Sequence, residues 1–457
     1  MSETLCSVGL DVGTTSTQLI VSELRIENGA SSFTVPEFHI ADRKVRYKSP
    51  VYLTPLLDDS HIDGQGIRQI VEREYAAAGI TREEVQTGAI IITGETSRKE
   101  NAEAVLAALS EYAGDFVVAA AGPDLESRLA AKGSGAVQYS EATGRTVLHM
   151  DIGGGTSNLS LIRQGEILDT GCFNVGGRLL IYDENRKIRW VSQALSGMEA
   201  IKPGDTFCEE QGIRLAESLA EVLEMAAGLR PSDVRLSHLI TREGKMLNQE
   251  LLTERPVISF SGGVADCIEN IHPWAEFGDL GPLLGSAIRR SRLCSGPYLL
   301  GQETIRATVI GAGCHSAQLS GSTVYWQNIS FPLKNIPAVP VRNLSSLEEK
   351  IAGAEKTAEG MFVLALSGFS SPSYGQVAML ADRLAKVPWC RPILICLQQD
   401  MAKALGQALA LRLGENAQIL CMDRICLGEE SYLDVGLPVG PAIPVVVKTL
   451  ILEKGTL

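Results

Sequence analysis

Two passages of the chain, 140 residues apart, repeat one design. Cys6-Ser-Val-Gly-Leu-Asp-Val-Gly-Thr-Thr-Ser-Thr-Gln-Leu-Ile-Val is an apolar run, a Gly/Thr turn and a second apolar run, which predicts a β-hairpin with its tip at Asp11–Thr15. Thr146-Val-Leu-His-Met-Asp-Ile-Gly-Gly-Gly-Thr-Ser-Asn-Leu-Ser-Leu-Ile repeats it, with the tip at Asp151–Thr156. One such tip is an ordinary turn, because glycine and threonine suit hairpins anyway. Two of them predict two similar lobes. Glycines let backbone N–H groups approach phosphate oxygens with no Cβ in the way, threonine hydroxyls add donors, and a strand-end carboxylate can hold a divalent cation directly or through water. Asp11 and Asp151 are therefore candidate metal and catalytic carboxylates. Gly13, Thr14, Thr15, Gly153, Gly154, Gly155 and Thr156 are candidate phosphate-cradling residues.

At 457 residues the chain exceeds what one core supports, so two or three packed units are expected. Between the two hairpins, Gly88–Gly94 reads as a buried strand, Arg98–Tyr112 as a helix, Asp115–Ala121 as a strand and Asp124–Ala131 as a helix stopped by Gly133-Ser-Gly. Strands alternating with helices point to an α/β lobe. From Gly176 to about Glu254 the text is more charged and helical, with a long helix predicted at Gly212–Gly228, which reads as an insertion. Pro256-Val-Ile-Ser-Phe then runs as a strand into Ser261-Gly-Gly-Val. The proline-rich stretch Phe331–Pro340 reads as a linker or edge segment, and strands at Phe362–Leu366, Ile393–Leu397 and Ile419–Met422 alternate with helices near Tyr374–Lys386 and Asp400–Leu413. The expected division is 1–150, 151–295 with an insertion at about 178–255, and a further α/β region at 296–457.

A hydrophobic fraction of 45% with 21% charged residues is ordinary globular composition. The formal charge of −13 argues against sequence-independent nucleic-acid binding, which needs clustered Lys and Arg, but not against a single nucleotide held by local amides and a cation. No leader peptide and no membrane span are read, and ten scattered cysteines suggest reduced, mostly buried thiols in a cytoplasmic setting.

Asp11-Val-Gly-Thr-Thr-Ser-Thr resembles the first phosphate loop of the actin/Hsp70/sugar-kinase superfamily, and Asp151-Ile-Gly-Gly-Gly-Thr its second. Phe173-Asn-Val-Gly-Gly is similar to the Gly-Gly turn of Hsp70-like members, Phe260-Ser-Gly-Gly-Val to the adenosine loop, and Leu280–Arg289 to the second interlobe connecting helix. The resemblance implies a two-lobed actin-like ATPase core with ribonuclease H-like lobes, binding ATP/ADP with Mg2+. Gly176, Gly177, Ser261, Gly262 and Gly263 join the nucleotide-binding set, and Asp11 and Asp151 are the Mg2+ carboxylates. Over the whole chain, Ile90–Ala102, Ala121–Ala136 and Gly278–Gly285 resemble the reactivating factors of ethanolamine ammonia-lyase. That implies a slow ATPase acting as a chaperone, which makes the lyase release damaged cobalamin so that adenosylcobalamin can enter. It also implies a cytoplasmic place, with a bacterial microcompartment as a further option; self-association as a homodimer stays open.

Hsp70-like proteins carry Glu-Pro at the start of the first connecting helix, with the Glu positioning the attacking water, whereas this chain has Gly122-Pro123. Asp124, Glu126 and Glu95 are the alternative carboxylates, although Asp124 and Glu126 also suit a helix N-terminus. Gly311-Ala-Gly-Cys-His-Ser lacks the third glycine of a dinucleotide fingerprint and reads as a turn. Cys390, Cys396, Cys421 and Cys426 do not match zinc or iron–sulfur spacings and read as buried thiols, and His149 reads as a packed histidine. A small-molecule kinase and an ATP-driven dehydratase activator on the same fold are the competing readings.

Overall fold

The computed structural model describes residues 3–13, 16–28, 38–58, 61–93, 101–110, 119–120, 123–242, 244–252, 254–301, 304–315, 317–319, 323–357, 360–369, 371–428, 431–438 and 443–449. The first lobe holds strands β1 (Glu3–Val12), β2 (Ser16–Asn28), β3 (Phe38–Lys48) and β4 (Tyr52–Leu53), then helix α1 (Gly64–Ala78), β5 (Thr87–Ile92), α2 (Ala102–Ser110), β6 (Ala119–Ala120) and α3 (Pro123–Gly133). Its sheet runs β3-β2-β1-β5-β6, with β4 added to β2. The first three strands are antiparallel, and β5 and β6 join β1 in parallel.

The second lobe repeats this plan. After α4 (Ala136–Thr143) come β7 (Val147–Ile152), β8 (Ser157–Arg163) and β9 (Glu166–Phe173); an insertion follows, with the hairpin β10 (Leu180–Tyr182) and β11 (Ile188–Val191), then α5 (Glu209–Ala226) and α6 (Val234–His238). The chain returns through β12 (Val257–Ser261), α7 (Gly263–Glu269), α8 (Gly281–Arg290), β13 (Tyr298–Leu300) and α9 (Ala307–His315). The sheet order β9-β8-β7-β12-β13, with the same antiparallel and parallel pairings, matches the first lobe strand for strand. The fold is a duplicated ribonuclease H-like lobe, the actin-like core that the paired hairpins lead one to expect.

Strand alternation decides what each face does. In β1, Val8, Leu10 and Val12 enter the core of the first lobe with Ile67, Val71 and Ile90, while Ser7, Gly9 and Asp11 face the other way. Leu148, Met150 and Ile152 of β7 likewise enter the second core, leaving His149 and Asp151 on the opposite face. That opposite face is covered by two helices that cross. α3 leaves the first lobe and packs on β7, β8 and β9, whereas α9 leaves the second lobe and packs on β1, β2 and β5. A Cβ on Gly133 would lie 1.9 Å from the Ala307 carbonyl oxygen, and one on Gly311 would lie 2.1 Å from that of Leu129. Each helix thus presses backbone against backbone, an approach only glycine permits.

This crossing corrects three expectations. The returning connecting helix is α9 and not Leu280–Arg289, whose Leu283, Leu284, Ala287 and Ile288 are buried in the core of the second lobe. Gly311-Ala-Gly lies inside α9 and is not a turn, and its glycines serve helix crossing and the contact with β1. The break expected at 295/296 falls too early, since β13 closes the second sheet and α9 covers the first.

The C-terminal unit contains β14 (Ala317–Leu319), β15 (Tyr325–Gln327), β16 (Leu333–Val341), α10 (Leu347–Thr357), β17 (Val363–Leu366), α11 (Tyr374–Ala385), β18 (Ile393–Leu397), α12 (Ala402–Leu413), β19 (Ile419–Met422), β20 (Ser431–Val435) and β21 (Pro444–Thr449). Its sheet runs β14-β21-β20-β16-β17-β18-β19-β15, with β16 to β19 parallel. The proline-rich stretch is therefore an interior strand, β16, and not a linker. Its ladder to β20 is already interrupted by a register shift between Leu333 and Ile336, beside Pro337, and such an interruption suits a residue without an N–H. All ten cysteines are free; Cys396 and Cys421 are buried as expected, while Cys390 and Cys426 are exposed. No helix among the described residues is long and apolar enough to cross a membrane.

Candidate functional site

The two hairpin tips close in the same way. Gly13 N–H donates to the Ser16 carbonyl at 2.9 Å, and Gly153 N–H donates to the Thr156 carbonyl at 2.9 Å. Both tips line one cleft of about 590 Å³ between the lobes, together with Asp11, Asp151, Gly154, Gly155 and Gly263. Thr14, Thr15 and Glu95 lie outside the described residues. A Cβ at Gly155 or Gly263 would meet nothing, so these positions leave space above the backbone for a bulky group.

Asp11 accepts a hydrogen bond from Thr93 Oγ1 at 2.9 Å, just beyond the end of β5. Burial and the facing charge of Asp151 push its carboxyl up to about 7, against the opposing bond from Thr93. Asp151 is also raised by burial, and it is held more fully. Ser261 Oγ donates to its Oδ1, and Thr308 Oγ1, from α9, donates to its Oδ2 at 3.2 Å. Behind it His149 contacts Ser261 Oγ at 3.0 Å and Ser259 Oγ at 3.1 Å, and burial lowers the imidazole to about 3, so it is neutral. His149 is the packed, partnered histidine that the sequence suggests.

The remaining candidates divide into residues that face the cleft and residues that shape its backbone. Ser261 is fully buried and orients Asp151. Gly262 adopts φ +88°, and a Cβ there would sit 2.3 Å from the Ile152 carbonyl; Gly176 would similarly strike Gly154, 2.3 Å from its carbonyl oxygen. Both glycines hold the loops together. Gly177 does line the cleft, and its N–H donates to the Gly153 carbonyl at 3.0 Å. Of the two α3 carboxylates, Glu126 is buried at the cleft wall and accepts from Asn158 Nδ2 at 2.8 Å. Asp124 is a correction: it does not line the cleft. It accepts from Thr170 Oγ1 at 2.6 Å and from Arg128 at 2.9 Å, bonds that hold its carboxyl below the usual range, because two residues along a helix turns a side chain to another face.

Sequence reasoning missed Thr93, Asn158, Arg178, Asp266, Asp279 and Thr308, all of which line the cleft. Asn158 has a readable signal, since it lies two residues after Thr156 and on the same face of an extended strand. Thr308 becomes visible only once α9 is known to cross the lobes.

The wall is strongly acidic. Asp11, Glu126, Asp151, Asp266 and Asp279 stand against Arg178, the one Lys or Arg among the described lining residues. Buried Gln18 Oε1 and Asn158 Oδ1, on two further lining residues, have no protein partner, so acceptors are left for water or for a hydrated cation. The donor set fits Mg2+: oxygen ligands only, two of them carboxylates meeting across the cleft.

A duplicated actin-like core with glycine tips and carboxylates on both sides of one cleft defines the class. A family model described as ethanolamine utilisation protein EutA matches residues 3–453, and the chain belongs to that family. It is 36% identical over 482 residues to the ethanolamine ammonia-lyase reactivase EutA of Escherichia coli (strain K12), covering 98% of each chain. It is 35% identical over 469 residues to the reactivase of the same name from Salmonella typhimurium (strain LT2), again with 98% of each covered. Among solved structures, the type II variant of the Aquifex aeolicus Ppx/GppA phosphatase matches 68% of this chain and 99% of its own at 13% identity, with a TM-score of 0.40.

Proposed function

We propose that this chain is an ATP-dependent reactivase of ethanolamine ammonia-lyase, which makes the lyase release damaged cobalamin so that intact adenosylcobalamin can bind. The observation that carries the reading is the meeting of Asp11 and Asp151, each at the end of an equivalent strand, across a cleft floored by glycine loops. Whole-length similarity to two proteins named as reactivases of that lyase supports the choice of partner.

Bound Mg-ATP supplies a metal-screened polyphosphate whose terminal group is open to attack by water. The acidic wall excludes a bare polyphosphate and accepts one that arrives with its cation. Asp11 and Asp151 would hold the cation through its hydration shell, a task for which the Asp11 carboxyl, raised by burial to about 7, would have to be ionised. Gly154 and Gly155, which line the cleft, would offer backbone amides to the phosphates. Glu126, fixed by Asn158, orients the water in the role that Glu-Pro fills in Hsp70-like proteins. Because Asp11 belongs to one lobe and Asp151 to the other, a cation and polyphosphate held by both would bias the lobe angle about the α3/α9 crossing, and that bias is what would act on the lyase.

The test is direct. Cyanocobalamin-inhibited lyase is incubated with this protein, Mg-ATP and adenosylcobalamin, and recovered turnover is measured. Recovery that requires ATP is expected, and none in any nucleotide state would refute the assignment.

A further inference from the structure

Arg178 is the cation that the site has so far left without a task. Its backbone N–H donates to the Gly154 carbonyl at 2.6 Å, one residue after Gly177 N–H has bonded Gly153 at 3.0 Å. The Gly176-Gly177 turn is thus stapled along the second glycine tip, and the Arg178 side chain springs from that staple into the cleft. Its guanidinium is a third exposed, and its carboxylate neighbour there, Asp279, stands 4.0 Å from Nε, beyond hydrogen-bonding distance. Asp279 is 7% exposed and is committed elsewhere: its Oδ1 accepts from Gly281 N–H at 2.8 Å, at the start of α8. The Gly177 carbonyl in turn accepts from Leu280 N–H at 2.7 Å, so the backbones carrying Arg178 and Asp279 are joined.

A guanidinium cannot lose its proton, and its fork matches a phosphate edge with two parallel bonds. In a wall of five carboxylates it is the single fixed positive group among the described lining residues. We infer that Arg178 is the phosphate-contacting cation of the cleft, and that Asp279 is the counter-anion that holds it beside the second tip until a phosphate takes its place. This rests on the nucleotide reading above and adds to it the residue that distinguishes a phosphorylated ligand from a bare nucleoside. Burial lifts the Asp279 carboxyl to about 6 even with Arg178 nearby, as befits a loose pair from which the arginine is easily drawn.

Calorimetry on the full chain with Mg2+ tests this, using ADP, ATP and adenosine as probes. Arg178→Ala is expected to weaken ADP and ATP about 10- to 100-fold while leaving adenosine within about twofold, and Arg178→Lys is expected to recover part of the loss. Asp279→Asn, whose side-chain oxygen still caps Gly281, is expected to tighten ADP about threefold by removing the competing anion. Wild-type binding of ADP with Arg178→Ala unchanged, or an equal loss for adenosine and ADP, overturns the role given to Arg178 alone. Absence of tightening in Asp279→Asn overturns the holding role. A wild-type chain that binds none of the three overturns the nucleotide reading itself. Matching melting curves for Arg178→Lys and wild type guard against a folding defect.

Discussion

The two strand-end aspartates occupy equivalent places in two copies of one lobe, yet they are held differently. Among the described residues Asp11 has one side-chain donor, Thr93, just past the end of β5 in its own lobe. Asp151 has Ser261 from its own sheet and Thr308 from the helix that returns to the other lobe. The position of the carboxylate is the same in both lobes, but Asp151 is in addition a fastening between the second lobe and α9.

That contrast is open to test. The largest effect is expected from Asp151→Ala, which should lower ATP turnover about 1000-fold and cost roughly 2 kcal/mol in urea unfolding, because two hydroxyls lose their acceptor. Asp11→Ala should lose comparable turnover without that stability loss at pH 8. Equal destabilisation by the two would dissolve the distinction. Glu126→Gln should reduce kcat about 100-fold with little change in KM, whereas Asp124→Asn, next to it on α3, should stay within about twofold. Gly311→Ala, which drives a Cβ into the Leu129 carbonyl, should destabilise the chain by roughly 2–3 kcal/mol.

The pH dependence gives the smallest signal. The folded Asp11 carboxyl, at about 7, lies above its ordinary value of 3.8, so the folded state binds the proton more tightly than the unfolded one. Its contribution is neutral below about pH 4, turns unfavourable as pH rises towards 7 and is flat beyond. Nucleotide-free protein should lose stability steadily across that window, and Asp11→Asn should reduce the slope while leaving the part that Asp151, also raised by burial, contributes.

Much of this was legible in the chain. The hairpins, their glycine tips and Asp11 and Asp151 follow from local alternation, which a short window records. Glu126 and Asp124 could not be told apart, because both suit the first turn of a helix and only the packing of α3 on β8 and β9 decides which one faces Asn158. The crossing helix was misplaced for a related reason. Leu280–Arg289 has the stronger amphipathic pattern, whereas Ala307–His315 is small and apolar all round, as a helix wedged between two sheets must be. Proline misled at β16, since its local preference for turns and edges gives way where a ladder is already broken.

The path of α9 has one more consequence. Near its start Thr308 donates to Asp151, near its end the Cys314 carbonyl accepts from Arg43 Nε of β3 at 2.9 Å, and the next strand is β14 of the C-terminal sheet. Contacts between β14 and β3 extend this attachment. A lobe movement of the kind proposed above would therefore carry the C-terminal sheet with the first lobe and α5 with the second, so that a small hinge angle would become a longer stroke at their far ends.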